Sequence, residues 1–154
     1  MFKKTDEAVN FFKSNNLLIE FAESEKSTAS SVDAAKAIKC ELNEIAKSII
    51  FDFNDKPILV LVEGGKKVDI KKLESILKGK VKIADPYFVK EKTGFLPGEV
   101  TPINKNIKTI IDSNIANHPY IWVSAGSKNT VAKIKTGGLA SALCAEILSV
   151  STEN

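Results

Sequence analysis

Two apolar runs, Lys47-Ser48-Ile49-Ile50-Phe51-Asp52-Phe53 and Pro57-Ile58-Leu59-Val60-Leu61-Val62, are separated only by Asn54-Asp55-Lys56. Runs of this length and composition read as strands, and a short connection of Asn and Asp between them reads as a hairpin. Their apolar residues are nearly continuous instead of alternating with polar ones, the pattern of strands covered on both faces. The rest of the 154 residues must therefore supply elements to either side of a central hairpin.

The flanking segments offer both kinds. Thr5 is placed to cap a helix over about Asp6 to Ser14, with Ala8, Phe11 and Phe12 on one face, and Leu17 to Phe21 reads as a short strand. Ser31, at the end of a polar turn, can cap a helix using Ala34, Ala35 and Ile38, and a further short helix is expected over Glu41 to Ala46. Beyond the hairpin, Gly64-Gly65 closes the second strand and Asp69 can cap a helix carrying Ile70, Leu73, Ile76 and Leu77. Val81 to Ile83 is a short strand, and Asp85-Pro86 supplies the cap and first-turn proline of a helix to about Glu91. Ile107 to Ile111, Tyr120 to Val123 and Val131 to Ile134 are strands, with Ser124-Ala125-Gly126-Ser127 turning between the last two. Gly137-Gly138 opens a final helix with Leu139, Leu143, Ile147 and Leu148 on its face. Interspersed helices and tightly joined strands predict an α+β domain over residues 1–154, its mixed sheet curved and barrel-like and flanked by helices.

Composition narrows the function classes. Hydrophobic residues make up 44% and charged residues 27%, the balance of a soluble protein, and no apolar run approaches the roughly 20 residues of a membrane span. Met1-Phe2-Lys3-Lys4 leads into a charged segment with no apolar signal core behind it, so a cytoplasmic protein without a membrane partner is expected. Cys40 and Cys144 stand alone, without metal-ligand spacing, and are expected as reduced thiols. No zinc-helix, nucleophile-elbow or nucleotide-fingerprint motif is present, so neither metal nor cofactor is expected. The single histidine, His118, precedes Pro119 and reads as a surface loop residue.

Three features remain for chemistry. Thr93-Gly94-Phe95-Leu96-Pro97-Gly98-Glu99-Val100-Thr101-Pro102 holds two glycines and two prolines in ten residues. Such a stretch is either a plain connecting turn or a stiff loop that grips a small polar ligand through main-chain N–H groups. Lys47 enters an apolar strand, where it either reaches out to water or holds a phosphate or carbonyl oxygen in a pocket. Finally, every basic residue is lysine, and nine of the 22 lie between Lys66 and Lys92. With no arginine, nucleic acid could be met only by point charges and backbone N–H groups, and the same cluster could equally be a solvated face.

In order along the chain, Glu44-Ile45-Ala46-Lys47-Ser48-Ile49-Ile50-Phe51, the 93–102 loop, Ile111-Asp112 and Val123-Ser124-Ala125-Gly126 resemble the YbaK/ProX group, relatives of the editing domain of bacterial prolyl-tRNA synthetases. The resemblance implies a mixed, barrel-like fold and hydrolysis of the ester between a wrong small amino acid and the 3′ end of tRNA. It makes Lys47 and Gly98 the catalytic positions. The substrate-binding positions it implies are Phe21, Thr28, Thr93, Gly94, Phe95, Pro97, Pro102, Asp112, Ser124, Ala125 and Gly126. Phe21 and Val131 stand near the places of a tyrosine and an aspartate of cysteine-specific members. The implied partners are the 3′ end of aminoacyl-tRNA and a tRNA synthetase. The alternative is a non-catalytic module that binds an aminoacyl-tRNA end or a nucleotide as a synthetase accessory.

Overall fold

The computed structural model describes residues 4–103 and 106–152, so Met1, Phe2 and Lys3 of the leading segment lie outside the described residues. In chain order the elements are α1 (Lys4–Ser14), β1 (Leu18–Glu23), α2 (Ser31–Ile38), a 3-10 turn (Leu42–Glu44), β2 (Ala46–Phe53), β3 (Lys56–Glu63), α3 (Ile70–Leu77) and β4 (Lys82–Ile83). They continue with α4 (Pro86–Thr93), β5 (Lys108–Asp112), α5 (Ser113–Ala116), β6 (Tyr120–Ser127), β7 (Thr130–Lys135), α6 (Leu139–Leu143) and β8 (Glu146–Leu148).

The hairpin forms as the sequence predicts. β2 and β3 pair antiparallel from Ala46–Glu63 to Phe53–Lys56, and Asn54 and Asp55 turn between them at φ 51° and 67°. Two successive positive φ values give the turn whose twist matches the strands it joins. β3 is covered on both faces: Ile58 and Val60 pack with Leu73 of α3, while Leu59 packs with Val89 of α4 and Leu61 with Ile111 and Val123.

The expected mixed α+β architecture places its strands in two sheets, one of three strands in the order β1-β7-β6 and one of five in the order β4-β2-β3-β5-β8. The first is antiparallel; in the second, β5 runs parallel to β3 and β8 parallel to β5. The sheets meet at a parallel bridge between Ile45 and Trp122. β4 covers the outer edge of β2 only at Phe51 and Asp52, and the Ala84 N–H reaches the Ile50 carbonyl at 3.1 Å. From Lys47 to Ile49, then, that edge faces a gap between the two neighbours.

Several local expectations are corrected. Thr5 is inside α1 instead of capping it, and α2 is capped by Ser30, whose hydroxyl accepts from the Asp33 N–H at 3.0 Å. The helix expected over Glu41 to Ala46 is only a 3-10 turn, because Ala46 is already paired with Glu63 in the sheet. Ser124 to Ser127 is strand with a register shift, and the turn falls at Lys128-Asn129. The final helix stops at Leu143, where Cys144 takes φ 54°, and Ile147 and Leu148 lie on β8. His118 lies in the expected loop but is only partly exposed, its Nε2 2.7 Å from Glu63 Oε2. The caps at Asp69 and Asp85 form, with the Asp85 carboxylate accepting from the Phe88 N–H at 2.8 Å.

Candidate active site

The gap in the β2 edge opens on two adjoining cavities. The smaller, about 50 Å³, has an apolar floor of Ala34, Ile45, Trp122 and Val131, which form one buried cluster where α2 crosses the junction of the sheets. Its polar rim includes Thr28, Ser30, Ser31, Lys47, Ser48, Gly98 and Ser124. The larger, about 430 Å³, shares Ala29, Ser30, Ser31, Lys47, Ser48, Gly98 and Val100 with the first and extends over Val32, Ile83, Ala84, Val89 and Pro97. Among the described residues, no carboxylate or histidine side chain lines either of them.

Lys47 owes its place to the start of β2. Its ammonium donates to the Gly64 carbonyl at 3.3 Å, just past the end of β3. Burial, and then repulsion by the nearby Lys67 ammonium, hold Lys47 below the ordinary lysine value of 10.5. Gly64 is crowded: a Cβ there would meet the Leu42 carbonyl oxygen at 2.8 Å and Ser31 at 2.9 Å.

The 93–102 loop is fixed at both ends. Gly94, at φ 81°, terminates α4, and the Thr93 hydroxyl donates to the Val89 carbonyl at 2.7 Å while accepting from the Phe95 N–H at 3.0 Å. Farther on, Ser124 of β6 donates to the Glu99 carbonyl at 2.9 Å and accepts from the Gly126 N–H at 3.1 Å. Gly98 sits between these anchors at φ 85°, against Ala29, whose carbonyl oxygen a Cβ would meet at 2.9 Å. The loop is thereby wedged between α2's approach and β6, and it faces both cavities.

Of the positions the sequence nominates, Thr28, Lys47, Gly98 and Ser124 meet around the small cavity, and Pro97 joins Lys47 and Gly98 at the large one. Thr93 and Phe95 line a separate space of about 80 Å³ on the far side of Val100. Gly94 caps α4, and Pro102 is buried next to Thr101. Ala125 is in the main core, and Gly126 takes φ 100° where β6 shifts register. Phe21, 40% exposed on β1, lines none of these cavities. Asp112 is fully buried elsewhere: its carboxylate accepts from the N–H groups of Val150 and Ser151 and from the Ser151 hydroxyl, at 2.9–3.0 Å. Sequence reasoning passed over Ser48, Ala34 and Trp122. Trp122 is the chain's single tryptophan, which is the signal that could have drawn attention to it. Cys40 is a poor nucleophile, since burial and then Glu44 and Glu41 push its thiol up to about 11.

The profile of the aminoacyl-tRNA editing domain family matches residues 25–142, which include both cavities and the loop. The chain belongs to that family. Among curated relatives of this editing-domain chain, the uncharacterized protein YwhH of Bacillus subtilis (strain 168) is 29% identical over 118 residues, 75% of each chain. A proline–tRNA ligase of Desulfitobacterium hafniense is 31% identical over 85 residues, 53% of this chain but only 15% of the ligase. Two solved structures share the fold. Hypothetical protein APE2540 superposes with TM-score 0.87 at 24% identity, covering 97% of this chain and all of that one. A proposed trans-editing enzyme for prolyl tRNA synthetase superposes with TM-score 0.86 at 23% identity, covering 99% of each.

Proposed function

We infer that this editing-domain chain is a free-standing aminoacyl-tRNA deacylase, hydrolysing the ester that joins a small, wrongly attached amino acid to the 3′ end of tRNA. The observation that carries this reading is one loop and one ammonium shared by two cavities of very different size. The small cavity holds about four waters at roughly 10–15 Å³ each. It suits the side chain of a small amino acid, and its apolar floor excludes larger ones by volume. The large groove, continuous with it at Lys47, Ser48 and Gly98, suits the terminal nucleoside.

An aminoacyl ester is already activated, so hydrolysis needs a positioned water and stabilisation of the tetrahedral oxyanion. In this reading, Lys47 and main-chain N–H groups of the loop around Gly98 stabilise that charge. With no carboxylate or histidine among the described residues that line the cavities, a ribose hydroxyl or the substrate's own amine orients the water. The likeness to a proline–tRNA ligase makes tRNA for proline a natural first substrate, and association with that synthetase belongs to the same proposal.

The test is a deacylation series on proline tRNA charged with glycine, alanine, serine, cysteine and proline. Turnover of one or more of the small amino acids, with proline spared, is expected. Tight binding of these charged tRNAs without turnover would replace the deacylase reading with that of a non-catalytic accessory module.

A further inference from the structure

Two buried side-chain polar atoms among the described residues have no hydrogen-bond partner, Ser48 Oγ and Thr101 Oγ1. A buried hydroxyl left unpaired costs stability, so native structures usually satisfy such a group or keep it for a ligand. The two orphans are not equivalent. Thr101 faces the space behind Val100, away from the two adjoining cavities. Ser48 lines both of those cavities, next in sequence to Lys47.

Three of the hydroxyls around Ser48 are already engaged. Thr28 donates to the Lys128 carbonyl at 3.3 Å, Ser30 accepts from the Asp33 N–H at 3.0 Å, and Ser124 is bonded to Glu99 and Gly126. The Lys47 ammonium is held by the Gly64 carbonyl. The main chain of Ser48 is also distinctive, because β2 is paired there with neither β4 nor β6. Peptide groups alternate sides along an antiparallel strand. Since the Ile50 carbonyl points across this outer edge to the Ala84 N–H, the peptide groups of Ser48, two residues earlier, face the same way. One residue therefore presents a main-chain carbonyl and N–H to the gap and carries, beside them, a buried hydroxyl without a partner.

We propose that Ser48 holds the α-amino group of the aminoacyl ester, its hydroxyl donating to the amine lone pair while its main-chain carbonyl accepts an amine N–H. This rests on the editing reading and names the residue that recognises the ester as an amino acid. A neutral amine both accepts and donates, matching what Ser48 offers, and the neighbouring Lys47 charge favours that neutral form. In this role no bond to Ser48 forms or breaks.

The test compares wild type with Ser48→Ala in three measurements. Removing an orphan hydroxyl should raise the melting temperature, by about 2–4 °C if it recovers a typical penalty. Turnover of the best small aminoacyl-tRNA should fall about tenfold or more. Wild type should prefer that substrate over its N-acetylated form, and the variant should lose most of that preference. Binding of 3′-deoxy-3′-(alanylamino)adenosine, which cannot be hydrolysed, should weaken about tenfold in the variant and serves if turnover is absent. A variant with wild-type turnover and wild-type N-acetyl discrimination overturns the role of Ser48 and leaves the deacylase reading standing. A wild type that binds the amide analogue through Ser48 but hydrolyses no ester overturns the deacylase reading and keeps Ser48. A lowered melting temperature would show that the hydroxyl has a partner in the folded protein and would end the proposal.

Discussion

At the scale of single residues, Lys47→Ala separates function from packing. Losing one electrostatic interaction with the transition state typically costs about 2.7–4 kcal/mol, so turnover should drop a hundredfold or more. A lysine that merely reaches out to water would cost about 0.5 kcal/mol of stability or less and leave turnover unchanged. Rate and melting temperature of the same variant decide between these outcomes. The lowered pKa of Lys47 adds a pH signature whose sign is fixed. The unfolded chain binds this proton more tightly than the folded one, so the Lys47 contribution to stability rises as pH climbs through the lowered value toward 10.5. A step that needs the ammonium loses rate over the same interval, after subtraction of spontaneous ester hydrolysis. Lys47→Arg, which stays charged, should remove that alkaline limb even where its planar head lowers the rate at neutral pH. Lys47 was legible in the sequence because a cation between Ala46 and Ile49 breaks an apolar run. Ser48, beside it, was not: a serine in a strand is ordinary, and only the folded surroundings reveal that its hydroxyl has no partner.

At the scale of elements, the 93–102 loop depends on close approach. Gly98→Ala would combine a left-handed backbone with a clash on the main-chain oxygen of Ala29, which cannot swing aside. A cost of about 1–2 kcal/mol from the backbone alone is expected, together with a fall in turnover as the loop shifts from Lys47. Circular dichroism melts and single-turnover deacylation would check both. Asp112→Ala should behave differently. It strands buried donors of Val150 and Ser151, so a loss of about 3 kcal/mol or more is expected, with turnover per folded molecule near wild type. A folded Asp112→Ala protein with collapsed turnover would return that carboxylate to the substrate. Elements governed by local chemistry were legible: the Asn54-Asp55 turn and the caps at Asp69 and Asp85 each need only residues a few positions apart. β8 was not, because Leu139, Leu143, Ile147 and Leu148 keep helical spacing while Glu146–Leu148 is held by parallel pairing with β5, more than 30 residues earlier. Ser124 to Ser127 looked like a turn for a similar reason: small residues read as a break, yet pairing with β7 keeps them in a strand.

At the scale of the whole molecule, the lysine-rich stretch from Lys66 to Lys92 spans α3, β4 and α4, and the last two border the large groove through Ile83 and Val89. Some of this charge is already occupied, since Lys80 lies 3.8 Å from Glu74 and Lys72 donates to the Ser151 carbonyl. Neutralising Lys66, Lys67, Lys71 and Lys72 together is expected to weaken tRNA binding and flatten its dependence on salt, by roughly 0.7–0.9 in log–log slope for each phosphate that no longer meets a lysine. Filter binding across a salt series measures that slope, and an unchanged slope would make the stretch an ordinary solvated face. The gap in the β2 edge has one more consequence, for self-association. Bare strand edges are templates on which other chains add strands and aggregate. This one is only about 10 Å long at roughly 3.3 Å per residue, shorter than a typical strand of five or six residues. β4 blocks one end, β6 the other, and Lys47 sets a charge within it. The sheet can leave polar backbone open at its most reactive point without inviting a second copy of itself to close it.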